Sequence, residues 1–206
     1  MTAGLPVVEV GAAGGGDPRN HRGLDGARPP VWWLRWELPG QRFGPTVMWL
    51  VIRERPLAHT GLRWVDVSVA SVFPALEPLL PRVTKPVQYV GGELNAHVKD
   101  WDSVDVRWAL LYPDAYEVGL PNQGIQILYE LLNERSDALA ERCYAVWPDL
   151  EALMREHGVP AFTVDAHRPL GAFDLIGVSF ATELGYTNLL TMLDLAGVPL
   201  HSAERT

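Results

Sequence analysis

Cysteine is almost absent from this chain: of its 206 residues only Cys143 carries a thiol. A lone cysteine excludes an internal disulfide framework, and it excludes an iron–sulfur cluster whose cysteine ligands all come from this chain. Long apolar runs are lacking as well. Residues 46–52 are apolar, but Arg53, Glu54 and Arg55 stop the run well short of the ~20 residues a membrane-spanning helix needs. Basic charge is in deficit, with 17 Lys and Arg against 25 Asp and Glu and a net charge of −8. A general nucleic-acid binder would show a basic footprint first, so no nucleic-acid partner is expected. The N-terminus lacks the basic-then-apolar layout of a secretory signal, which predicts a cytoplasmic protein. Neither G-x-x-x-x-G-K-[ST] nor G-x-G-x-x-G occurs, so Gly91-Gly92-Glu93 reads as a turn rather than a phosphate loop.

What is present is a globular composition, 48% hydrophobic and 20% charged, in a chain long enough for one sizeable core. Its two parts differ in texture. Residues 1–66 are punctuated by Gly, Pro and Arg and hold five of the eight tryptophans: Trp32, Trp33, Trp36, Trp49 and Trp64. No sustained period of strand or helix is found there beyond a candidate strand at Val47–Ile52. This irregular N-terminal extension reads as an aromatic interaction arm, as a leader, or as upstream sequence read from too early a start. Candidate later starts stand at Val67 and Val69, and residues 67–103 form a lead-in in which regular patterning begins at Ser71.

From residue 104 strands and helices alternate. Val104, Val106, Trp108 and Leu110 alternate with polar residues and run into Leu111 and Tyr112, the mark of a strand entering a core. Ile125, Leu128, Tyr129 and Leu132 recur at helical spacing behind Asn122, a candidate N-cap. Cys143–Trp147 reads as a short strand. A helix opening at Pro148 buries Leu150, Leu153 and Met154 and closes at Gly158. Ala161–Val164 reads as a strand, and the apolar run Leu175–Phe180 as a central parallel strand. Tyr186, Leu189, Leu190 and Leu193 form a helical stripe expected in the core. Alternating β and α predicts a doubly wound α/β sheet, flavodoxin-like or Rossmann-like. The link Asp165–Phe173 is too short for a crossover helix, so one flanking strand must be an edge piece or cross the sheet. The helix ending near Ala196 should feed a further strand, and only Val198-Pro199-Leu200 follows, so the α/β domain, 104–206, is expected to be incomplete.

Four segments carry a resemblance: LLPRVTKPVQYVGGELNAHVKDW (79–101), LLYPDAYEVGLPNQGIQILYELLNE (110–134), ERCYAVWPDLEALMREHGVP (141–160) and FDLIGVSFATELGYTNLLTMLDLAGVPL (173–200). In this order they resemble a family of bacterial radical SAM proteins with a B12-binding domain, over about residues 71–206. The resemblance implies a flavodoxin-like, cobalamin-binding-like front domain that precedes a radical SAM barrel. It also implies a [4Fe–4S] cluster and S-adenosylmethionine, held through three cysteines usually spaced C-x3-C-x2-C. This chain has no such motif, so it is not expected to be catalytic by that route, and the missing barrel would be its natural packing partner. Cys143 reads as a small core residue.

Ligands of open α/β sheets lie at the carboxyl ends of the strands. The loop Tyr112–Gly119 offers flat faces in Tyr112 and Tyr116, acceptors in Asp114 and Glu117, and a close backbone approach at Gly119. Thr182 and Glu183 follow the later strand and either touch a ligand or cap the next helix. These seven residues are the candidate cofactor site, with a small-molecule cofactor, cobalamin by the resemblance, as its occupant. Domains that grip cobalt through histidine use D-x-H-x-x-G after the first strand, and this loop has no histidine. Asp165-Ala166-His167 is one residue out of step with that motif, and His167 reads as a loop histidine. A stand-alone, non-catalytic binding module is the alternative reading. A receiver domain ranks behind both, because no lysine follows the first strand.

Overall fold

The computed structural model describes residues 7–12, 32–37, 47–52 and 70–201. Its elements are β1 (Val7–Ala12), β2 (Trp32–Glu37), β3 (Val47–Ile52), α1 (Phe73–Leu76), β4 (Val106–Tyr112), α2 (Tyr116–Gly119), α3 (Gln123–Asn133), β5 (Ala138–Tyr144), α4 (Pro148–His157), β6 (Leu175–Phe180) and α5 (Gly185–Leu195). Short 3-10 turns occupy Glu77–Arg82, Pro86–Tyr89, Trp101–Ser103 and Leu170–Ala172. The candidate strand at Val47–Ile52 is β3, and two further strands occur in the stretch read as irregular. The expected boundary near residue 67 lies outside the described residues.

One six-stranded sheet runs in the order β1-β2-β3-β6-β4-β5. Its parallel half, β6-β4-β5, is the predicted α/β unit, with β4 central and β5 and β6 on either side. β3 joins the free side of β6 antiparallel, from Val47 opposite Phe180 to Ile52 opposite Leu175. Alternation along β4 sorts the two faces. Ala109 and Leu111 point into a core shared with Leu139, Cys143, Ile176, Val178, Met192 and Leu193. Leu110 and Tyr112 point the other way, onto Ile125 and Tyr129 of α3. So α3 covers one face of the sheet and α5 the other.

The helix signals act as their chemistry predicts. Asn122 caps α3 by accepting from the Ile125 amide at 3.1 Å. At the far end of α3, Lys99 Nζ donates to the carbonyls of Asn133, Arg135 and Ala138 at 2.7, 2.6 and 2.7 Å, a cation placed where the helix dipole is negative. α4 starts on Pro148 and ends at Gly158 with φ +67°, a left-handed conformation open to glycine at little cost. Its buried face, Leu150, Leu153 and Met154, packs on Leu76, Leu79, Leu80, Val83 and Tyr89, so the lead-in shares a core with the α/β unit.

Three expectations need correction. The strand expected at Cys143–Trp147 begins at Ala138 and ends at Tyr144, because Glu141 and Arg142 are buried charges on a strand rather than loop residues. Ala161–Val164 is not a strand; Phe162 and Pro169 make one isolated bridge, and the Val164 amide donates to the Arg142 carbonyl at 2.8 Å, which lays the segment beside β5. That resolves the short link before β6. The α5 stripe is core only in part: Leu193 is buried and Leu189 half-buried, while Tyr186 is 53% and Leu190 47% exposed.

Candidate functional site

The carboxyl ends of β4, β5 and β6 gather the loops 113–115, 145–147 and 181–184. Between them, α4 and α5 wall a cleft of about 260 Å³ lined by Asp114, Trp147, Glu151, Asn188, Thr191 and Met192 among others. The crevice between β4 and β6, where ligands of doubly wound sheets lie, is nearly filled at about 10 Å³. Two contacts close it. Asn188 Nδ2 donates to the Pro113 carbonyl at 3.1 Å, and a Cβ built on Gly185 would stand 3.1 Å from Pro113 Cγ. Gly185 is thus the close approach that lets the start of α5 press against the first loop.

The lead-in segment straps this end of the sheet. Lys85 pairs with Glu117 and sits 4.7 Å over the Trp147 ring. The Thr84 amide donates to Asp149 Oδ2 at 2.8 Å, and the Tyr89 hydroxyl accepts from the Trp147 amide at 3.1 Å. Tyr116 donates to Glu93. Burial raises the Tyr89 hydroxyl to about 12, so it stays protonated at neutral pH. Burial also raises Tyr112 and Tyr116 above the usual tyrosine range. The Lys85 hydrogen bond lowers the Glu117 carboxyl.

The predicted residues therefore divide. Tyr112, Asp114 and Thr182 line the closed crevice. Tyr116 and Glu117 are held by the strap and do not line the cleft. Gly119 ends α2, where a Cβ would meet Tyr144 Cδ1 at 2.4 Å, so its smallness serves tyrosine packing. Thr182 and Glu183 are exposed and do not cap α5, whose cap position is Leu184 with no side-chain hydrogen bond. His167 is a buried pin: with φ +54°, its Nε2 lies 2.8 Å from the Tyr89 carbonyl, and its ring lies between Phe73 and Phe162. The Gly91 and Gly92 turn takes φ +66° and +78°, as expected for paired glycines.

Sequence reading missed Asn188, Glu151 and Thr191, which enter the cleft from helices whose polar positions looked merely solvated. It also missed the buried charges beside β5. Arg142 and Asp165 pair at 2.6 Å with both side chains nearly sealed from solvent, and Glu141 takes a hydrogen bond from Thr163 Oγ1 at 2.6 Å and pairs with Arg168.

Among the described residues the cofactors implied by the resemblance find no built site. A corrin ring exceeds a 260 Å³ cleft, the switch-point crevice is closed, and the two acids Asp114 and Glu151 supply no nitrogen to cobalt. Cys143 is fully buried, its Sγ donates to the Phe162 carbonyl at 3.1 Å, and burial pushes the thiol well above its usual range. It is placed as core, away from the cleft. Among the described residues no helix is long and apolar enough to cross a membrane.

Residues 124–206, less than half of the chain, match the family model described as Radical SAM proteins, N-terminal. The matched span opens inside α3 and covers β5, α4, β6 and α5. Radical SAM proteins carry an iron–sulfur cluster and S-adenosylmethionine, and the match supports that family relationship for this segment. No curated protein and no solved structure gives a significant match to the chain.

Proposed function

We propose that this chain is the N-terminal α/β domain of a radical SAM protein, a packing and positioning domain without catalysis of its own. The observation that carries the reading is the family match from residue 124 to residue 206, laid over a parallel α/β unit. The cluster and S-adenosylmethionine would be held by a separate barrel with the cysteine triplet, since this chain supplies one buried thiol. The three-stranded parallel unit fits a flavodoxin-like front domain, but the closed crevice and the acidic cleft argue against cobalamin as its ligand.

The test is to read the coding frame across and beyond codon 206 and to produce the extended protein anaerobically. A continuing frame with C-x3-C-x2-C, a [4Fe–4S] absorption band and reductive cleavage of S-adenosylmethionine would support the reading, with none of these from residues 1–206 alone. A confirmed stop with no such frame overturns it. Hydroxocobalamin titrated into the 206-residue chain is expected to pass separately through gel filtration. A stand-alone interaction module is the second reading, favoured by the exposed Leu184, Tyr186 and Leu190 of α5.

A further inference from the structure

The cleft walled by α4 and α5 is a cavity of one chemical sense. Its polar side chains are Asp114, Glu151, Asn188 and Thr191, and no Lys, Arg or His lines it. Asp114 accepts from the Ala115 amide through Oδ1 at 2.7 Å, which leaves its second oxygen, and none of the ion pairs among the described residues includes it. Glu151 uses Oε1 on Arg155 at 3.0 Å and keeps Oε2. Asn188 turns Nδ2 to the Pro113 carbonyl at 3.1 Å, which leaves its oxygen for a ligand.

The backbone does not redress this balance. The amide of Ala145 donates to the Asp114 carbonyl at 2.9 Å, that of Trp147 to the Tyr89 hydroxyl at 3.1 Å, that of Leu150 to Asp149 Oδ1 at 2.7 Å and that of Glu151 to the Trp147 carbonyl at 2.9 Å. Pro148 has no N–H to give. The first turn of α4, ordinarily a place for anions, is therefore spent on the chain's own acceptors. The rest of the wall is apolar, with Met192 and the Trp147 ring. That indole already meets one ammonium: Lys85 Nζ stands 4.7 Å over it while pairing with Glu117, and Lys85 does not line the cleft. A volume of about 260 Å³ lies below the roughly 300–1,000 Å³ of pockets for drug-sized ligands, so the occupant is small.

We propose that this cleft binds a small organic cation, a primary ammonium on a short aliphatic chain with no carboxylate of its own. The ammonium donates to Asp114, with Glu151, Asn188 and Thr191 as further acceptors, and the chain lies against Met192 and Trp147. An amino acid would bring its carboxylate against Asp114 and Glu151. A divalent cation fits less well, because an apolar wall supplies it no oxygen, and no group of three or more His, Cys, Asp or Glu comes together among the described residues. The site follows from the donors and acceptors of the cleft and does not depend on the radical SAM reading.

The experiment titrates butylammonium chloride into the isotope-labelled full chain and follows the Trp147 indole and Asn188 side-chain amide signals by NMR. Saturable shifts of both are expected. The neutral isostere n-butanol, and γ-aminobutyrate, which adds a carboxylate to the same ammonium, should each bind more weakly by about tenfold, the worth of one charge-assisted hydrogen bond. Asp114→Asn keeps an acceptor for the Ala115 amide and removes the charge, and should weaken butylammonium by about the same factor. Equal binding of butylammonium and n-butanol overturns the proposal, as does the lack of a saturable shift in the millimolar range. Displacement of butylammonium by equimolar magnesium overturns it in favour of a metal site. If Asp114→Asn fails to fold, the comparison of the three probes on the unaltered chain decides.

Discussion

At the β5 edge the sheet is finished chiefly by side chains, with one backbone bond from the Val164 amide to the Arg142 carbonyl, whereas beyond β6 it is continued by a strand. Alternate residues of a parallel strand turn their backbone groups to the same side. On β5 those of Ala138, Ala140 and Arg142 face outward, and Lys99, Asn133 and Asp165 meet them at 2.6 to 3.0 Å. Arg142 in turn lies 4.3 Å over the Tyr129 ring and binds the Asp165 carboxylate that caps its own amide. A strand added to that edge would have to displace Lys99, Asn133 and the buried Arg142–Asp165 pair. The β6 edge is satisfied by backbone pairing with β3. The two sides of the parallel half are thus closed differently, one by backbone pairing that continues through β3 to β2 and the other chiefly by side chains.

The sharpest way to break the comparison is Arg142→Ala. It strands the Asp165 carboxylate, whose side chain is 2% exposed, without its cation. Removing one partner of a buried pair costs about 3–5 kcal/mol, so the urea midpoint should fall far, with β5 protection in hydrogen exchange falling alongside it. A loss under about 1 kcal/mol, the range of surface pairs, would mean that the edge is not sealed as described. Next in size is Asn133→Ala, which leaves the amide and carbonyl of Ala140 unmet in a buried site. A loss of about 2–3 kcal/mol is expected, from the desolvation cost of unpaired buried groups. Asn133→Leu keeps the bulk but neither the donor nor the acceptor and should lose as much, which a purely steric role for Asn133 would not give.

Glu141 sharpens the comparison through pH. Burial raises its carboxyl above the ordinary value of 4.5, although the Thr163 hydrogen bond and the Arg168 charge pull it down. A raised carboxyl binds its proton more tightly folded than unfolded. Its contribution to stability is therefore greatest below the ordinary value and declines as pH rises through the raised one. Wild type minus Glu141→Gln, followed by urea unfolding across the acid-to-neutral range, should fall with rising pH. A difference that rises instead would mean that the Arg168 pairing outweighs burial.

These edges explain what the sequence disclosed. β4, β6, α3 and α4 were legible because period, caps and breakers agree: Asn122, Pro148 and Gly158 each sit where local chemistry puts them. β5 was legible only at its end, because Glu141 and Arg142 look like loop residues until Arg168 and Asp165 are known to meet them across more than twenty positions. The cleft was half legible. Asp114 follows from its strand, but Asn188 and Thr191 are polar positions on a helix, and Lys85 reaches Trp147 from another segment altogether. Tyr186 and Leu190 misled in the other direction, because periodicity reports which side chains are apolar and not whether anything covers them.

The smallest effect decides whether that flank is open. Leu184→Ser with Leu190→Ser replaces two side chains that are 81% and 47% exposed, so little burial is lost. Substitutions away from packed sites stay within about 0.5 kcal/mol, and the urea midpoint should hardly move. Leu193→Ala, three residues along the same helix and 1% exposed, should cost about 2–5 kcal/mol through lost burial and a cavity. The serine pair should also lower any self-association seen by light scattering, since an apolar flank beside a strand edge is adhesive. If the serine pair instead cost as much as Leu193→Ala, α5 would already be covered on that side in solution.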